Sequence, residues 1–131
     1  MYEFNVTLTT PFDQAVADVS AALAAVGFGI VSDVDVRAIL LSKLGKEIPG
    51  YRILGTCNPG LADRVISAEP NAGVLLPCNV VVRAVDERTT VVSFMQPSAM
   101  LDMTLTEEPK VVAAEAANML QEVVGKLTAK S

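Results

Sequence analysis

Apolar residues in this chain recur alternately at strand spacing and at helix spacing, and the resulting order of elements, βαβαβαββα, most limits its fold. In Tyr2–Thr9 every second residue is apolar, as in a strand with one buried face. The predicted strands are Tyr2–Thr9, Phe28–Val34, Tyr51–Cys57, Leu76–Val85 and Thr90–Gln96. Mixed strand and helix order of this kind predicts an α+β fold: one two-layer sandwich with helices packed against a mixed sheet of about five strands.

Four helices are predicted between and after these strands. Thr10 is expected to cap the first, with Pro11 at its first helical position and Gly27 after its end. The others are predicted at Val36–Lys46, from Asn58-Pro59 to about Ser67, and from about Thr106 to Ala129, while Glu69–Gly73 is predicted to be a turn and Asp86–Thr89 a hairpin loop. The predicted buried stripes are Val16, Val19, Leu23 and Val26; Val36, Ile39, Leu40 and Leu44; and Val112, Ala116, Met119, Leu120, Val123 and Leu127.

Composition excludes several classes of function. The 131 residues, which we interpret as one domain over 1–131, include no histidine, so Ser-His-Asp and Cys-His catalysis and His-based zinc sites are ruled out. The net charge is −5, and no stretch gathers Lys and Arg into the basic stripe that binding to phosphate backbones requires. We therefore expect no nucleic-acid partner.

The charge pattern and the hydrophobic fraction of the sequence also predict the location and the assembly of the protein. No charge-free run reaches the roughly 18 residues of a membrane span, and Glu3 stands where a signal peptide carries basic residues. We expect a cytoplasmic protein without a membrane partner. Helices on one face of the sheet leave the other face available, and 51% of the residues are hydrophobic. We expect this apolar surplus to form the pairing surface of a homodimer.

Two segments around the cysteines carry a family resemblance. They are Tyr51–Pro59 and the run of Pro70, Gly73 and Leu75–Val82, with further matches at Gly27–Ile30, Lys43–Gly45 and Pro97–Met100. On these residues the chain resembles the bacterial and archaeal family catalogued as domain of unknown function 302. The resemblance implies a small, dimeric α+β sandwich without an established activity or cofactor. It supplies no catalytic residues to transfer.

Cys57 is the most suggestive single residue. It ends a predicted strand immediately before the helix start at Asn58-Pro59, where unpaired backbone N–H groups and the helix dipole favour a thiolate. A small thiol can also simply fill space at a strand end, which is the commoner role of a cysteine. Cys57 is accordingly a candidate catalytic residue and a candidate ligand-binding residue.

Cys78 begins the following strand and shares a face with Val80 and Val82, which favours packing. Whether the two thiols meet depends on topology. Antiparallel neighbouring strands would bring Cys57 and Cys78 to the same end of the sheet, whereas parallel strands would separate them by about 17–20 Å. Cys78 is therefore the second candidate catalytic and ligand-binding residue. The sequence does not decide whether it lies close to Cys57.

The residues flanking Cys57 complete a candidate ligand site. It consists of Tyr51, Arg52, Cys57, Asn58, Gly60 and Cys78. The helix N-terminus at Asn58–Gly60 can hold an anion, and Arg52 can orient a carboxylate, although pairing with a nearby acid is the interpretation we favour. Copper(I) bound by the thiols with Met95, Met100 and Met103 is the weaker alternative, because methionines at helical spacing usually pack. We predict no metal and no cofactor.

Two functional hypotheses follow. The first is a dimeric binding or sensor module with a small ligand near the Cys57–Pro59 corner. The second is a thiol-dependent redox or sulfur-handling enzyme that uses Cys57, with Cys78 as the resolving thiol. A scaffold with ordinary cysteines ranks third. Whether the protein is an enzyme stays open at this point, and thiol reactivity separates the second hypothesis from the others.

Overall fold

The sheet consists of five strands, all running antiparallel to their neighbours. A computed structural model describes residues 1–130, and its strands are β1 (Glu3–Leu8), β2 (Gly29–Asp35), β3 (Tyr51–Cys57), β4 (Cys78–Ala84) and β5 (Thr90–Met95). Their spatial order is β1-β5-β4-β3-β2. The α+β class is confirmed, whereas the expected mixed sheet is wrong, since every pairing is antiparallel.

The connections explain why no parallel pair forms. β1 and β2 run in the same direction but lie at opposite edges, with three strands between them. The segments between β2 and β3, and between β3 and β4, leave and re-enter the sheet at the same end. Neither segment is therefore a crossover to a parallel neighbour.

The α-helices are α1 (Phe12–Ala25), α2 (Val36–Leu44), α3 (Pro59–Ala68), α4 (Pro97–Leu101) and α5 (Glu108–Lys130), with a 3-10 helix at Pro70–Leu75. α1 and α5 pack against one face of the sheet, whereas no residue of α2 is buried. Glu69–Gly73 was predicted as a turn and α4 was not predicted at all. Among residues 1–130, no helix is both long and apolar enough to cross a membrane.

The ends of two helices differ from the sequence prediction. Pro11, not Thr10, is the N-cap of α1, and no side chain caps that end. α2 ends at Leu44, and Gly45 follows as its C-cap. Gly45 has a left-handed backbone conformation, which ends the helix and which glycine adopts without steric cost. The predicted apolar stripe of α2 is not buried, because no residue of this helix packs into the core.

Two apolar clusters lie beneath the helices. The main cluster joins the sheet to α1 and α5, with fully buried Val19, Val82, Val92 and Phe94 at its centre. A smaller cluster consists of Val65, Ala72, Leu101, Val112 and Ala113, from α3, the 3-10 helix, α4 and the start of α5. The buried stripe predicted for the last helix is found, except that Met119 is half-buried. α5 contributes to both clusters and connects them.

The uncovered face of the sheet carries both polar and apolar side chains, with Val81 and Met95 beside Asn79 and Arg83. Along β4, buried Val80 and Val82 alternate with exposed Asn79 and Arg83. Asn5 is likewise exposed on β1. Along β2 and α2, six further large hydrophobic side chains are exposed: Ile30, Val31, Val34, Ile39, Leu41 and Leu44.

Candidate functional site

The corner between β3 and α3 is built as the sequence predicts. β3 ends at Cys57, Asn58 is the N-cap, and Pro59 occupies the first helical position. The Asn58 side-chain oxygen accepts a hydrogen bond from the backbone N–H of Leu61 at 3.2 Å. Asparagine at the N-cap and proline at the first position are preferred because they suit the unpaired N–H groups of a helix start. The direction of the chain after Cys57 is thereby fixed locally.

Antiparallel pairing brings the two cysteines to the same end of the sheet. β3 pairs with β4 so that Thr56 lies directly opposite Cys78, which puts Cys57 one residue beyond that pair. The Thr56 hydroxyl is buried and donates a hydrogen bond to the Cys78 carbonyl oxygen at 2.8 Å. Both cysteines are free thiols. The antiparallel alternative left open by the sequence is therefore the one realised.

A small cavity lies at this end of the sheet. Its volume is about 30 Å³, larger than the roughly 10–15 Å³ that a single water needs. Its lining is Phe28, Thr56, Cys57, Asn58, Leu61, Ala62, Val65, Leu76, Pro77, Cys78, Leu101, Val112 and Ala116. Phe28 and Ala116 belong to the main cluster, whereas Val65, Leu101 and Val112 belong to the smaller one. The cavity thus marks the seam where the two clusters meet.

The two thiols differ in their surroundings. Cys78 is buried with 8% of its surface exposed, and Cys57 is half-buried. Burial, together with a smaller effect of nearby Cys57, raises the pKa of the Cys78 thiol to about 11. At neutral pH Cys78 is therefore a protonated thiol that behaves as a small apolar group. The Thr56 hydroxyl has no proton left to donate to a ligand, since it already donates to the Cys78 carbonyl oxygen.

The remaining predicted site residues lie elsewhere. Tyr51 borders a shallow cleft on the uncovered face of the sheet. Arg52 forms an ion pair with Asp33 of β2, including a hydrogen bond from Nε to Oδ1 of 2.8 Å, so the interpretation as pairing with a nearby acid is confirmed. That hydrogen bonding lowers the pKa of Asp33. Gly60 follows the N-cap but does not line the cavity. The structure therefore places Cys57, Asn58 and Cys78 around one cavity, with Gly60 beside Asn58 but outside the lining, and it separates them from Tyr51 and Arg52.

The methionines and acids do not add to this site. Met95 borders the cleft on the uncovered face, Met100 is half-buried in α4, and Met103 is exposed. In the described part of the chain, no group of three or more His, Cys, Asp or Glu side chains is placed to hold a metal ion.

Sequence reasoning missed most of the cavity wall. Phe28, Leu101 and Val112 are apolar, and nothing in their chemistry distinguishes them from ordinary core residues. Phe28 lies in the Gly27–Ile30 segment, and Leu101 directly follows Pro97–Met100. Both segments were noted as family matches without a role. The nearness of these family-matched segments to Cys57 is the one signal that could have identified the cavity wall. That nearness is a property of the three-dimensional fold and cannot be seen in the sequence.

Comparison with known proteins identifies relatives but no activity. The model of the family described as domain of unknown function DUF302 matches residues 4–127. The crystal structure of an uncharacterised conserved DUF302 protein from Bacillus stearothermophilus superposes with a TM-score of 0.86 at 26% identity, covering 97% of this chain and 98% of that one. No curated protein matches the chain.

Proposed function

The chain belongs to the DUF302 family, and from its own geometry we propose that it is a small-ligand-binding module whose site is the cavity beside the Cys57–Pro59 corner. The observation that carries this proposal is the position of the cavity at the seam between two apolar clusters. A gap at a seam can widen when the smaller cluster moves slightly against the larger one. A gap inside one tightly packed core cannot do so without breaking that core.

The lining defines the class of ligand. The walls are side chains such as Phe28, Leu101 and Val112, and the Thr56 hydroxyl is already bonded to the Cys78 carbonyl. An apolar cavity stays dry and favours apolar guests, and each buried methylene contributes about 0.8 kcal/mol. The ligand we propose is a small apolar molecule, or the apolar end of a larger one, in contact with the two cysteines. An anion held by the helix N-terminus fits these walls less well.

We place this module in the cytoplasm. Half-buried Cys57 is a free thiol, which an oxidising compartment would expose to disulfide formation with other molecules. A reducing compartment keeps such thiols unpaired.

Native mass spectrometry of freshly purified protein tests the binding function. We expect the wild type to carry a small molecule in addition to the 13.8 kDa chain. Ala62→Leu should abolish the extra mass, because Ala62 lines the cavity from α3 and a larger side chain there fills it. Leucine is as compatible with a helix as alanine to within a few tenths of a kcal/mol.

Ala114→Leu is the matched control, since Ala114 is exposed on α5 and is not part of the cavity lining. It should retain the bound molecule. A wild type whose mass is that of the chain alone, or an Ala62→Leu variant that keeps the same extra mass, would contradict the proposal.

A thiol-dependent redox or sulfur-handling enzyme is the second candidate. The observation in its favour is that both cysteines border one cavity. In this function Cys57 is the attacking thiol, because Cys78 is buried and its raised pKa keeps it protonated. Neighbouring residues of a strand point to opposite faces, and Thr56 is the residue opposite Cys78. A Cys57–Cys78 disulfide would therefore require the backbone to move.

A further inference from the structure

The shallow cleft on the uncovered face of the sheet is separate from the cavity beside Cys57. Its volume is about 370 Å³, within the range of roughly 300–1,000 Å³ that is usual for small-ligand sites. Strands β1, β3, β4 and β5 all contribute to its lining. On β4, Val81 and Arg83 line the cleft, whereas Val80 and Val82 are buried on the opposite face. The two sites share no lining residue.

Two opposite charges in this cleft have no charged partner. Glu3 and Arg83 are the charged members of its ten lining residues. Neither belongs to an ion pair in the part of the chain that the structure describes. The Glu3 carboxylate accepts hydrogen bonds from the neutral side-chain amide of Asn5, at 2.9 and 3.1 Å. Arg52 and Arg64, by contrast, are both paired with acids. The cleft therefore offers one free cation and one free anion to a ligand.

An uncharged polar group lies between these two charges. Ser93 is on β5, the strand between β1 and β4, and it lies opposite Asn5 on one side and Val81 on the other. Its side chain is half-buried, and its hydroxyl has no hydrogen-bond partner among residues 1–129. Tyr51 is also half-buried and lies opposite Arg83 on β3. A ligand that joins the two charges would thus cross a free hydroxyl and an apolar side chain.

The strand register gives the distance between the two charged residues. Glu3 lies opposite Met95, and Arg83 lies opposite Val91. Four residues along β5 separate these positions by about 13 Å, and two strand spacings separate β1 from β4 by about 10 Å. The Cα atoms of Glu3 and Arg83 are thus about 16 Å apart. The two side chains line the cleft and span part of this distance. A single amino acid extends over at most about 3.5 Å, whereas an extended tripeptide covers about 10 Å.

We infer that this cleft binds a zwitterion about as long as a tripeptide, with its carboxylate on Arg83 and its ammonium group on Glu3. A guanidinium can donate two parallel hydrogen bonds to a carboxylate, and the Glu3 carboxylate accepts from an ammonium group. The Ser93 hydroxyl can bond a central amide of the ligand. A simple anion would leave Glu3 unpaired and would approach a chain of net charge −5. The zwitterion satisfies both charges and is neutral.

NMR of the backbone amides during titration with alanyl-leucyl-alanine tests this inference. We expect saturable shifts along β4 and β5, with a dissociation constant of about 1 mM. Arg83→Gln and Glu3→Gln should each weaken binding by about fivefold, the effect of losing one exposed ion pair. Arg88→Gln and Glu87→Gln are the matched controls. They remove the same charges from exposed positions outside the cleft and should leave the affinity unchanged.

Two blocked forms of the peptide show which charge each residue binds. The C-terminal amide lacks the carboxylate and the N-acetylated form lacks the ammonium group, so each should bind the wild type about fivefold more weakly. Arg83→Gln should not weaken binding of the amide any further, and Glu3→Gln should not weaken binding of the acetylated form. A variant that misfolds would instead weaken binding of all three peptides, so these comparisons separate a lost contact from lost structure.

Sedimentation velocity on the same samples distinguishes the peptide from a second copy of the chain, which is the competing occupant of this face. We expect Arg83→Gln to sediment like the wild type. The inference would be overturned by a lack of saturable shifts up to about 10 mM peptide, or by equal affinity of the wild type for the free and blocked peptides. A dimer that Arg83→Gln dissociates would overturn it as well, because the second copy would then occupy the cleft.

Discussion

Alkylation of the folded protein at neutral pH should label Cys57 and leave Cys78 almost unmodified. The reacting species is the thiolate. With a pKa of about 11, only about one Cys78 side chain in ten thousand is ionised at neutral pH, and the residue is also largely shielded from solvent. Cys57 is half-buried, so a reagent reaches it more easily than it reaches buried Cys78. We expect Cys57 to react more than about 100-fold faster.

Single-cysteine variants separate the two rates. Cys78→Ala reports the labelling of Cys57, and Cys57→Ala reports that of Cys78, each followed by intact mass over pH 6 to about 9. In denaturant the two rates should become similar, which shows that the fold causes the difference. Equal rates in the folded protein would contradict the assignment of Cys78 as a buried thiol. If neither thiol reacts, the enzyme hypothesis fails and both cysteines are packing residues.

The stability of the protein should fall steeply at alkaline pH because of Cys78. Its thiol has a pKa raised from 9.0 to about 11 by burial in the folded state. Between these values the unfolded chain has lost this proton and the folded chain has kept it. The unfolded state thus binds fewer protons, so the free energy of unfolding decreases as the pH rises. The part of the free energy of unfolding that comes from the protonated Cys78 thiol is intact below pH 9 and is lost by about pH 11. The free energy of unfolding decreases by about 2–3 kcal/mol over this range.

Urea unfolding at several pH values between 8 and about 11 measures this loss. All ionisable groups other than the two cysteines are the same in the wild type, Cys78→Ala and Cys57→Ala, so differences between the wild type and Cys78→Ala report on Cys78. Cys78→Ala should begin less stable, because it removes a buried side chain, and then lose less stability as the pH rises. Cys57→Ala should follow the slope of the wild type closely, because burial is the main cause of the raised pKa of Cys78 and Cys57 makes only a smaller contribution. Parallel curves for the wild type and Cys78→Ala would show that Cys78 ionises equally well in the folded and unfolded states.

The local parts of the fold could be predicted because their causes are local. Strand β3 was predicted at its observed bounds, Tyr51–Cys57, and the start of α3 follows from Asn58 and Pro59 alone. Alternation predicted that Cys78, Val80 and Val82 share a buried face. Each of these features depends on residues a few positions apart, where side-chain period and capping chemistry decide the conformation.

The direction of the strands and the composition of the site depend on distant residues. Whether Cys57 lies near Cys78 was decided by the path of the chain through α3 and the 3-10 helix, which no pattern within either strand encodes. The cavity wall needs Phe28 and Val112, separated by most of the chain, to meet at the same place. Tyr51 and Arg52 were grouped with Cys57 by nearness in sequence, but a seven-residue strand puts them at its far end.

Xenon binding followed by NMR of the methyl groups tests the central claim, that the cavity at the seam between the two clusters is a binding site. Xenon is apolar and enters dry apolar cavities. The account predicts saturable shifts for methyl groups of Val65, Leu101 and Val112, which line the cavity, and none for Val92, which is buried in the main cluster. Ala62→Leu should abolish the shifts, and Ala114→Leu should preserve them. The absence of saturable shifts at these three residues, or equal shifts in Ala62→Leu, would contradict the account.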